Sequence, residues 1–309
     1  MKHTWQATLL LMALFLATEA VGLVILLSYV DVDRTAETGI TAFESLPFDM
    51  ERPDIDESLS YLYIAAAIII GTIILLVLIK FRRVGLWKFW FLIAIAFTLT
   101  FAIGAFVDEM IAVVIAIFLA LWKIYRPNIY VHNLTEILIY GGLAAIFVPI
   151  INMFSAFMLL ILISIYDIYA VWRSEHMIEM AKFQTQNRLF AGLFIPYGKK
   201  FPQDEKKPEQ EEKIDEKEVG KYSIEKRRTA ILGGGDLGFP LIFAGVVMKT
   251  LINGQVPVLD AFTQSFIIIL FAGIGLFLLL YKSEKGKFYP AMPFISLGCF
   301  LGYALVYFL

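Results

Sequence analysis

Two aspartates lie in stretches that are otherwise apolar, and their type and spacing could do chemistry. Asp167 lies in SIYDIYAV and Asp236 in GGGDLGFP. A carboxylate at membrane depth costs about 3 kcal/mol, so such an aspartate usually has a partner and a task. Asp167 precedes Arg173 by six residues and Asp236 follows Arg228 by eight. At about 1.5 Å per helical residue, both lie roughly 9–12 Å in from the same, cytoplasmic side of the membrane, on antiparallel neighbouring helices. Equal depth lets them face each other.

Two facing carboxylates suit a specific chemistry, because like charges about 3 Å apart cannot both ionise and the pair then shares one proton. The ionised member can take a proton from water, which attacks an amide carbonyl, while the protonated member polarises that carbonyl. This is aspartyl proteolysis. The same residues also fit a cation or proton pathway, and a lone aspartate can cap a broken helix. The spacing alone favours proteolysis and transport about equally.

A third segment, YPAMPF, predicts irregular backbone at the start of the last apolar run. Pro290 and Pro293 have no N–H group, so nearby carbonyls lose their helical partners. At membrane depth such backbone is tolerated only where it lines a cavity. Proline is also ordinary at a helix start, so this segment alone is weak support. The glycines Gly233 to Gly235 also fit a cavity beside Asp236, because residues without side chains let another backbone approach Asp236 closely.

The elements that must position these residues are membrane-spanning helices. Hydrophobic residues make up 59% of the 309-residue chain and charged residues only 17%, with a mean hydropathy of +0.75. This composition indicates a polytopic membrane protein. A lone strand cannot satisfy its backbone in lipid, so we expect an all-α fold. Apolar runs of about 20 residues predict nine transmembrane helices at roughly 5–30, 61–80, 86–106, 108–124, 133–151, 154–172, 231–250, 261–281 and 288–308.

The placement of lysine and arginine predicts the orientation of these helices. With the N-terminus in the cytoplasm, all but three of the 26 basic residues fall in cytoplasmic segments, the exceptions being Arg34, Arg52 and Lys249. The C-terminus is then extracytoplasmic, and the chain is a multi-pass protein of the cell membrane.

The chain divides into helices 1–6 over residues 1–172, a cytoplasmic loop over 173–230, and helices 7–9 over 231–309. Within the loop, DEKKPEQEEKIDEKE is almost wholly charged and should be disordered. The apolar RLFAGLFIPYG before it is too short to span a bilayer and is expected to be interfacial.

Other chemistries find no support in the sequence. The three histidines, His3, His132 and His176, do not form the His-Glu-x-x-His zinc pattern, so neither a metal nor a cofactor is expected. The Gly-x-Ser-x-Gly pattern of serine nucleophiles is missing as well. Because the basic residues are the inside charges of a membrane protein, nucleic-acid binding is not expected.

The motifs, in their order over nine predicted spans, resemble the presenilin family of intramembrane aspartyl proteases, and most closely its microbial, archaeal homologues. They are Tyr166-Asp167, the Gly-x-Gly-Asp at Gly233–Asp236, and the Pro-Ala-Met at Pro290–Met292. The signal peptide peptidases share the motifs with inverted topology, so the inside charges favour the presenilins. The family's Pro-Ala-Leu is Pro-Ala-Met here, a change that nearly conserves volume.

This resemblance implies an aspartic endopeptidase with Asp167 and Asp236 as its catalytic pair. The remaining motif residues would bind substrate or shape the active site: Tyr166, Gly233, Gly235, Pro290, Ala291 and Met292. Substrates would be transmembrane helices of other proteins in the lipid bilayer, unwound locally and held as an added strand. Microbial homologues act alone, so partner subunits are not expected. The motifs have no counterpart in the first five spans, which counts against a transporter built from repeats.

Overall fold

Ten α-helices make up most of the part of the chain that the structure describes. The computed structural model describes residues 4–81, 83–173, 190–197, 228–284 and 289–308. In chain order the helices are α1 (Trp5–Ser28), α2 (Val32–Thr38), α3 (Ser60–Lys80), α4 (Val84–Gly104), α5 (Glu109–Tyr125), α6 (Ile129–Phe147), α7 (Met153–Trp172), α8 (Gly235–Asn253), α9 (Val258–Lys282) and α10 (Met292–Tyr307). The charged stretch expected to be disordered, 204–218, lies outside the described residues.

Seven of these helices are long and apolar enough to cross a membrane: α1, α3, α4, α6, α7, α8 and α9. Helices α5 and α10 are shorter, with 17 and 16 residues, and coincide with the fourth and ninth predicted spans. Helix α5 buries Ala112, Ala116 and Ala120 on one face, and the last two pack against α4. The described residues thus form a multi-pass helical membrane protein, and the count of nine crossings stays a prediction.

Two short antiparallel sheets depart from the all-α expectation in this mostly helical fold. Strand β1 (Val30–Asp31) pairs with β2 (Ala42–Phe43). Strand β3 (Gly192–Tyr197) pairs with β4 (Arg228–Gly233). Residues 192–197 of the apolar segment RLFAGLFIPYG therefore form a strand, and the interfacial position of this segment stays a prediction.

The β3–β4 pairing explains why the seventh predicted helix begins later than expected. Leu193 lies opposite Leu232 and Ile195 opposite Ala230, and all four side chains are buried. Pairing satisfies backbone groups that would otherwise be unbonded at a protein–lipid boundary. Helix α8 accordingly begins at Gly235, and the predicted boundary at residue 231 falls inside β4. A short apolar run cannot be assigned to strand or helix by periodicity alone.

Helix α8 is the central helix of the bundle and positions one of the two aspartates. It packs against α1, α6, α7, α9 and α10. Its side chains at Leu241, Phe243, Val246 and Val247 are at most 1% exposed. Contacts with five other helices fix the place of α8 in the bundle and, with it, the place of Asp236 in the first turn of α8.

Lys249 fixes the opposite end of α8, about 20 Å along the helix from Asp236. Its ammonium group donates to the carbonyl oxygens of Pro149 at 2.8 Å and Ile151 at 3.4 Å, and pairs with the Glu57 carboxylate at 2.9 Å. Those carbonyls belong to the tight turn between α6 and α7. Lys249 therefore ties this turn to α8 at the far end of the bundle.

Candidate active site

Asp167 lies in the second-last turn of α7 and points into the protein. The residue is only 4% exposed. The backbone N–H of Met292 donates to Asp167 Oδ2 at 3.0 Å, and the Ala291 amide faces the same carboxyl group. The Pro-Ala-Met segment thus contacts this aspartate through its backbone.

Asp236 lies in the first turn of α8, directly after the glycine run that ends β4. The residue is half-buried, and its neighbour Gly235 is exposed. The N–H of Gly233 forms a hydrogen bond with the Asp236 carboxyl group. The strand, the glycine turn and the helix therefore fix the position of this carboxyl group.

The fold brings the two aspartates together. Helices α7 and α8 are in contact, and Asp167 and Asp236 lie close enough for their carboxyl groups to interact electrostatically. The residues are 69 positions apart in the sequence, and their proximity follows from α7 and α8 packing at corresponding depths. Such a pair can hold one proton between two carboxyl groups, activate a water and polarise a carbonyl.

The third motif opens α10 beside α7. Pro290 and Met292 are buried and Ala291 is half-buried. One turn further along, the hydroxyl groups of Ser164 on α7 and Ser296 on α10 are 2.9 Å apart. This side-chain bond and the Met292 amide fix α10 to α7 at Asp167 and one turn before it.

The remaining predicted residues lie close to the pair with different amounts of space around them. Tyr166 is half-buried on α7. A Cβ added at Gly233 would lie 3.3 Å from Asp236 Oδ2, and one at Gly235 would make only an ordinary contact with the Phe239 ring at 3.5 Å. The tightest approach is instead at Gly234, which the sequence analysis included in the glycine run but not among the predicted site residues. A Cβ there would lie 2.6 Å from the Tyr140 hydroxyl oxygen.

Tyr140 belongs to a buried polar cluster that borders the aspartates. Glu136 Oε1 pairs with the ammonium group of Lys123, and Glu136 Oε2 accepts from the Tyr140 hydroxyl. The backbone N–H of Gly192 donates to the same Oε2 at 2.8 Å. His132 Nε2 lies 2.7 Å from the Gly192 carbonyl oxygen. The cluster thus joins α5, α6 and β3.

Sequence reasoning missed this cluster. Lys123 was assigned to the cytoplasmic charge of the fourth span, and Glu136 was given no role within the fifth. The available signal was the position of Glu136 inside an apolar run, because an ionisable residue in a membrane span marks a functional site by default. His132, considered only for a zinc pattern, instead contacts the β3 backbone.

Comparison with known proteins points to one family. The model of the family described as "Signal-peptide peptidase, presenilin aspartyl protease" matches residues 22–309. Two solved structures of "a presenilin family intramembrane aspartate protease" are similar to the chain. The one in space group P2 is 18% identical with a TM-score of 0.60 and 99% of each chain covered. The one in space group C222 is 17% identical with a TM-score of 0.57, covering 96% of this chain and 99% of that one. No curated protein matches.

Proposed function

Since the chain belongs to the signal-peptide peptidase and presenilin aspartyl protease family, we propose that Asp167 and Asp236 are its catalytic pair. The protein is an intramembrane aspartyl protease. The observation that supports the pair most directly is their position: Asp167 lies near the end of α7 and Asp236 at the start of α8, on two helices that are in contact. The alternative of a cation or proton pathway has no support from the family or from the similar structures.

The proposed reaction needs no group besides the two carboxyl groups and water. The ionised aspartate takes a proton from water as the water oxygen attacks the scissile carbonyl carbon. The protonated aspartate donates to the carbonyl oxygen, giving a neutral tetrahedral intermediate. When the C–N bond breaks, the aspartic acid that took the water proton protonates the leaving nitrogen, and the other carboxylate takes a proton from a hydroxyl of the intermediate as the carboxylic acid product forms. The pair is left again with one shared proton. The amides of Met292 and Ala291 hold Asp167 in place throughout.

We propose that substrates are transmembrane segments of other proteins, bound as a strand along the free edge of β4. The Phe194 N–H and C=O face α6. The N–H donates to the side-chain oxygen of Asn133 at 3.0 Å, and the C=O accepts from the side-chain amide of Asn133 at 2.8 Å. Since backbone groups alternate in direction along paired strands, those of Ile231, opposite Phe194, point away from β3. Ile231 is also 42% exposed. This edge leads directly to the glycine turn before Asp236, so an added strand would pass the catalytic pair.

The decisive experiment is cleavage of a transmembrane peptide by the purified full-length protein in lipid. We expect Asp167→Ala and Asp236→Ala each to abolish cleavage while the protein stays folded, and the double variant to be no worse than either single one. Asp260→Ala is the matched control, because Asp260 is an exposed aspartate in the first turn of α9. Substantial cleavage by either catalytic variant would show that the pair is assigned wrongly.

We further propose nine crossings of the cell membrane with a cytoplasmic N-terminus, and a protein active without partner subunits. The distribution of basic residues supports this orientation. The sole cysteine, Cys299, is fully buried, so single added cysteines can report the topology with little background. Asp33→Cys should react with an impermeant thiol reagent on intact cells, and Lys80→Cys only after permeabilisation. The reverse labelling pattern would show that the orientation is opposite to the proposed one.

A further inference from the structure

Glu136 joins three structural elements through one carboxylate. It lies on α6, is 1% exposed, and pairs with Lys123 of α5, which is 3% exposed. Its other oxygen accepts from the Tyr140 hydroxyl on α6 and from the first N–H of β3 at Gly192. Among the described residues, its partners are thus an ammonium group, a phenol hydroxyl and a backbone amide, each from a different part of the fold.

A buried ion pair of this kind is not explained by stability. Taking two charges out of water costs several kcal/mol per ion, and apolar residues of similar volume often serve a fold equally well. Buried polar groups are better attested as devices that fix a register. The question is then which register Glu136 fixes.

The bonds of Glu136 lead by two routes to Asp236. In the first, Gly192 lies opposite Gly233 at the end of the β3–β4 pairing, and the carbonyl of the preceding Ala191 accepts from the Gly234 N–H at 3.1 Å. In the second, the Tyr140 hydroxyl that Glu136 holds lies directly against Gly234. Both routes end two residues before Asp236. Glu136 thus fixes the end of the strand pair against the catalytic turn.

A second contact on the same side of β3 shows that α6 acts as its support. Asn133, one turn before Glu136, bonds both the N–H and the C=O of Phe194. Contacts at residues 192 and 194 together prevent β3 from sliding along α6. Helix α6 occupies this edge of β3, whereas no strand among the described residues pairs with the outer edge of β4.

We propose that Glu136 is a positioning residue that determines which peptide bond of the substrate reaches the catalytic pair. This inference rests on the proposed function, in which the substrate strand adds to β4. Successive residues of a strand are about 3.3 Å apart. A strand pair that moves by that distance relative to Asp236 would present a neighbouring peptide bond instead. Lys123 keeps the Glu136 carboxylate in place for this role.

The test is the distribution of cleavage products, measured by mass spectrometry with the full-length protein and one transmembrane peptide. In Glu136→Gln, we expect the share of product cut at neighbouring bonds to rise about fivefold, the factor that corresponds to ~1 kcal/mol of lost discrimination. Because Glu136→Gln leaves the buried Lys123 ammonium group without the negative charge of Glu136, a second variant combines Glu136→Leu with Lys123→Met. It removes both charges, nearly keeps the volume, and should broaden the distribution further, since leucine cannot accept from Gly192.

Glu57→Gln is the matched control. It also weakens a carboxylate–lysine pair, with Lys249, but at the far end of α8. We expect it to leave the product distribution unchanged. Lower total cleavage with an unchanged distribution in both Glu136 variants would mean a purely structural role and would overturn the proposal. Failure of both variants to fold would do the same, because the pair would then support the fold itself.

These outcomes are distinguishable from failure of the proposed function. If the wild type cuts the peptide and Asp236→Ala does not, the protease assignment stands whatever the Glu136 variants do. If cleavage persists in Asp236→Ala, the assignment of the catalytic pair is wrong, whatever the product distribution of the Glu136 variants. If cleavage depends on Asp236 and the product distribution of the Glu136 variants is unchanged, the proposed role of Glu136 is wrong and the protease assignment still stands.

Discussion

Replacing Gly234 by alanine should impair the catalytic turn through one identifiable contact. The added Cβ would lie 2.6 Å from the Tyr140 hydroxyl oxygen, well inside van der Waals distance. A side-chain tip could often move aside, but Tyr140 is 3% exposed and its hydroxyl donates to Glu136. Gly234 has a φ of −64°, so the substitution adds no backbone strain. The steric contact alone must account for the effect.

The magnitude follows from the cost of overpacking a buried site. Inserting a methyl group into well-packed surroundings costs about 1–3 kcal/mol, which corresponds to roughly 5- to 140-fold in an equilibrium constant. If the turn relieves this strain by moving Asp236, cleavage should fall by a factor of that order. Tyr140→Phe removes the oxygen and leaves the nearest ring carbons at 3.4 Å, an ordinary contact. In that background, Gly234→Ala should cost less than about 1 kcal/mol.

The assay is a double-mutant cycle in cleavage rate and thermal stability. It compares Gly234→Ala, Tyr140→Phe and their combination with the wild type, so that the separate loss of the Tyr140 hydrogen bond cancels. Gly71→Ala is the control, since nothing lies within 4 Å of a Cβ added in α3. An effect of Gly234→Ala that is as large in the Tyr140→Phe background as in the wild type, or no effect in the wild type, would refute the steric argument.

The other predictions concern the rest of the bundle. Gly298→Ala would place a Cβ on the carbonyl oxygen of Phe271, so it should separate α9 from α10 and lower the melting temperature well beyond the Gly71 control; an unchanged melting curve would contradict this packing. Lys249→Met leaves two turn carbonyls without their donor and should cost about 1–3 kcal/mol, whereas Glu57→Gln should cost less than about 1 kcal/mol because Glu57 is largely exposed. Chemical unfolding of both variants tests this order. Deleting 200–220, which is mostly charged, should leave cleavage within a few-fold; loss of folding would make the segment structural.

Local properties of the sequence predicted the class of the protein and the depth of its aspartates. Hydropathy is a sum over neighbouring residues, so it revealed the membrane helices without any knowledge of their packing. The 1.5 Å rise per residue likewise gave Asp167 and Asp236 equal depth, and α7 and α8 are indeed in contact. The roles of the motif residues came from the resemblance and remain predictions for the variants above to test.

The strand pair was beyond this reasoning. The apolar residues of β3 and β4 lie in segments about 30 residues apart, and each is too short to show a period. The run from residue 231 was therefore assigned to a helix that begins at Gly235. Only the pairing of the two strands decides that these backbones are extended.

The ion pair of Lys123 and Glu136 was decided by tertiary structure as well. Along the sequence, each is a single charge near the end of an apolar run, a position from which side chains often extend to the interface. In the fold, the turn between α5 and α6 brings them together, with β3 covering Glu136. Lipid and protein interior are equally apolar, so hydropathy cannot tell which face of a membrane helix meets another helix; packing and hydrogen bonds between elements determine that face.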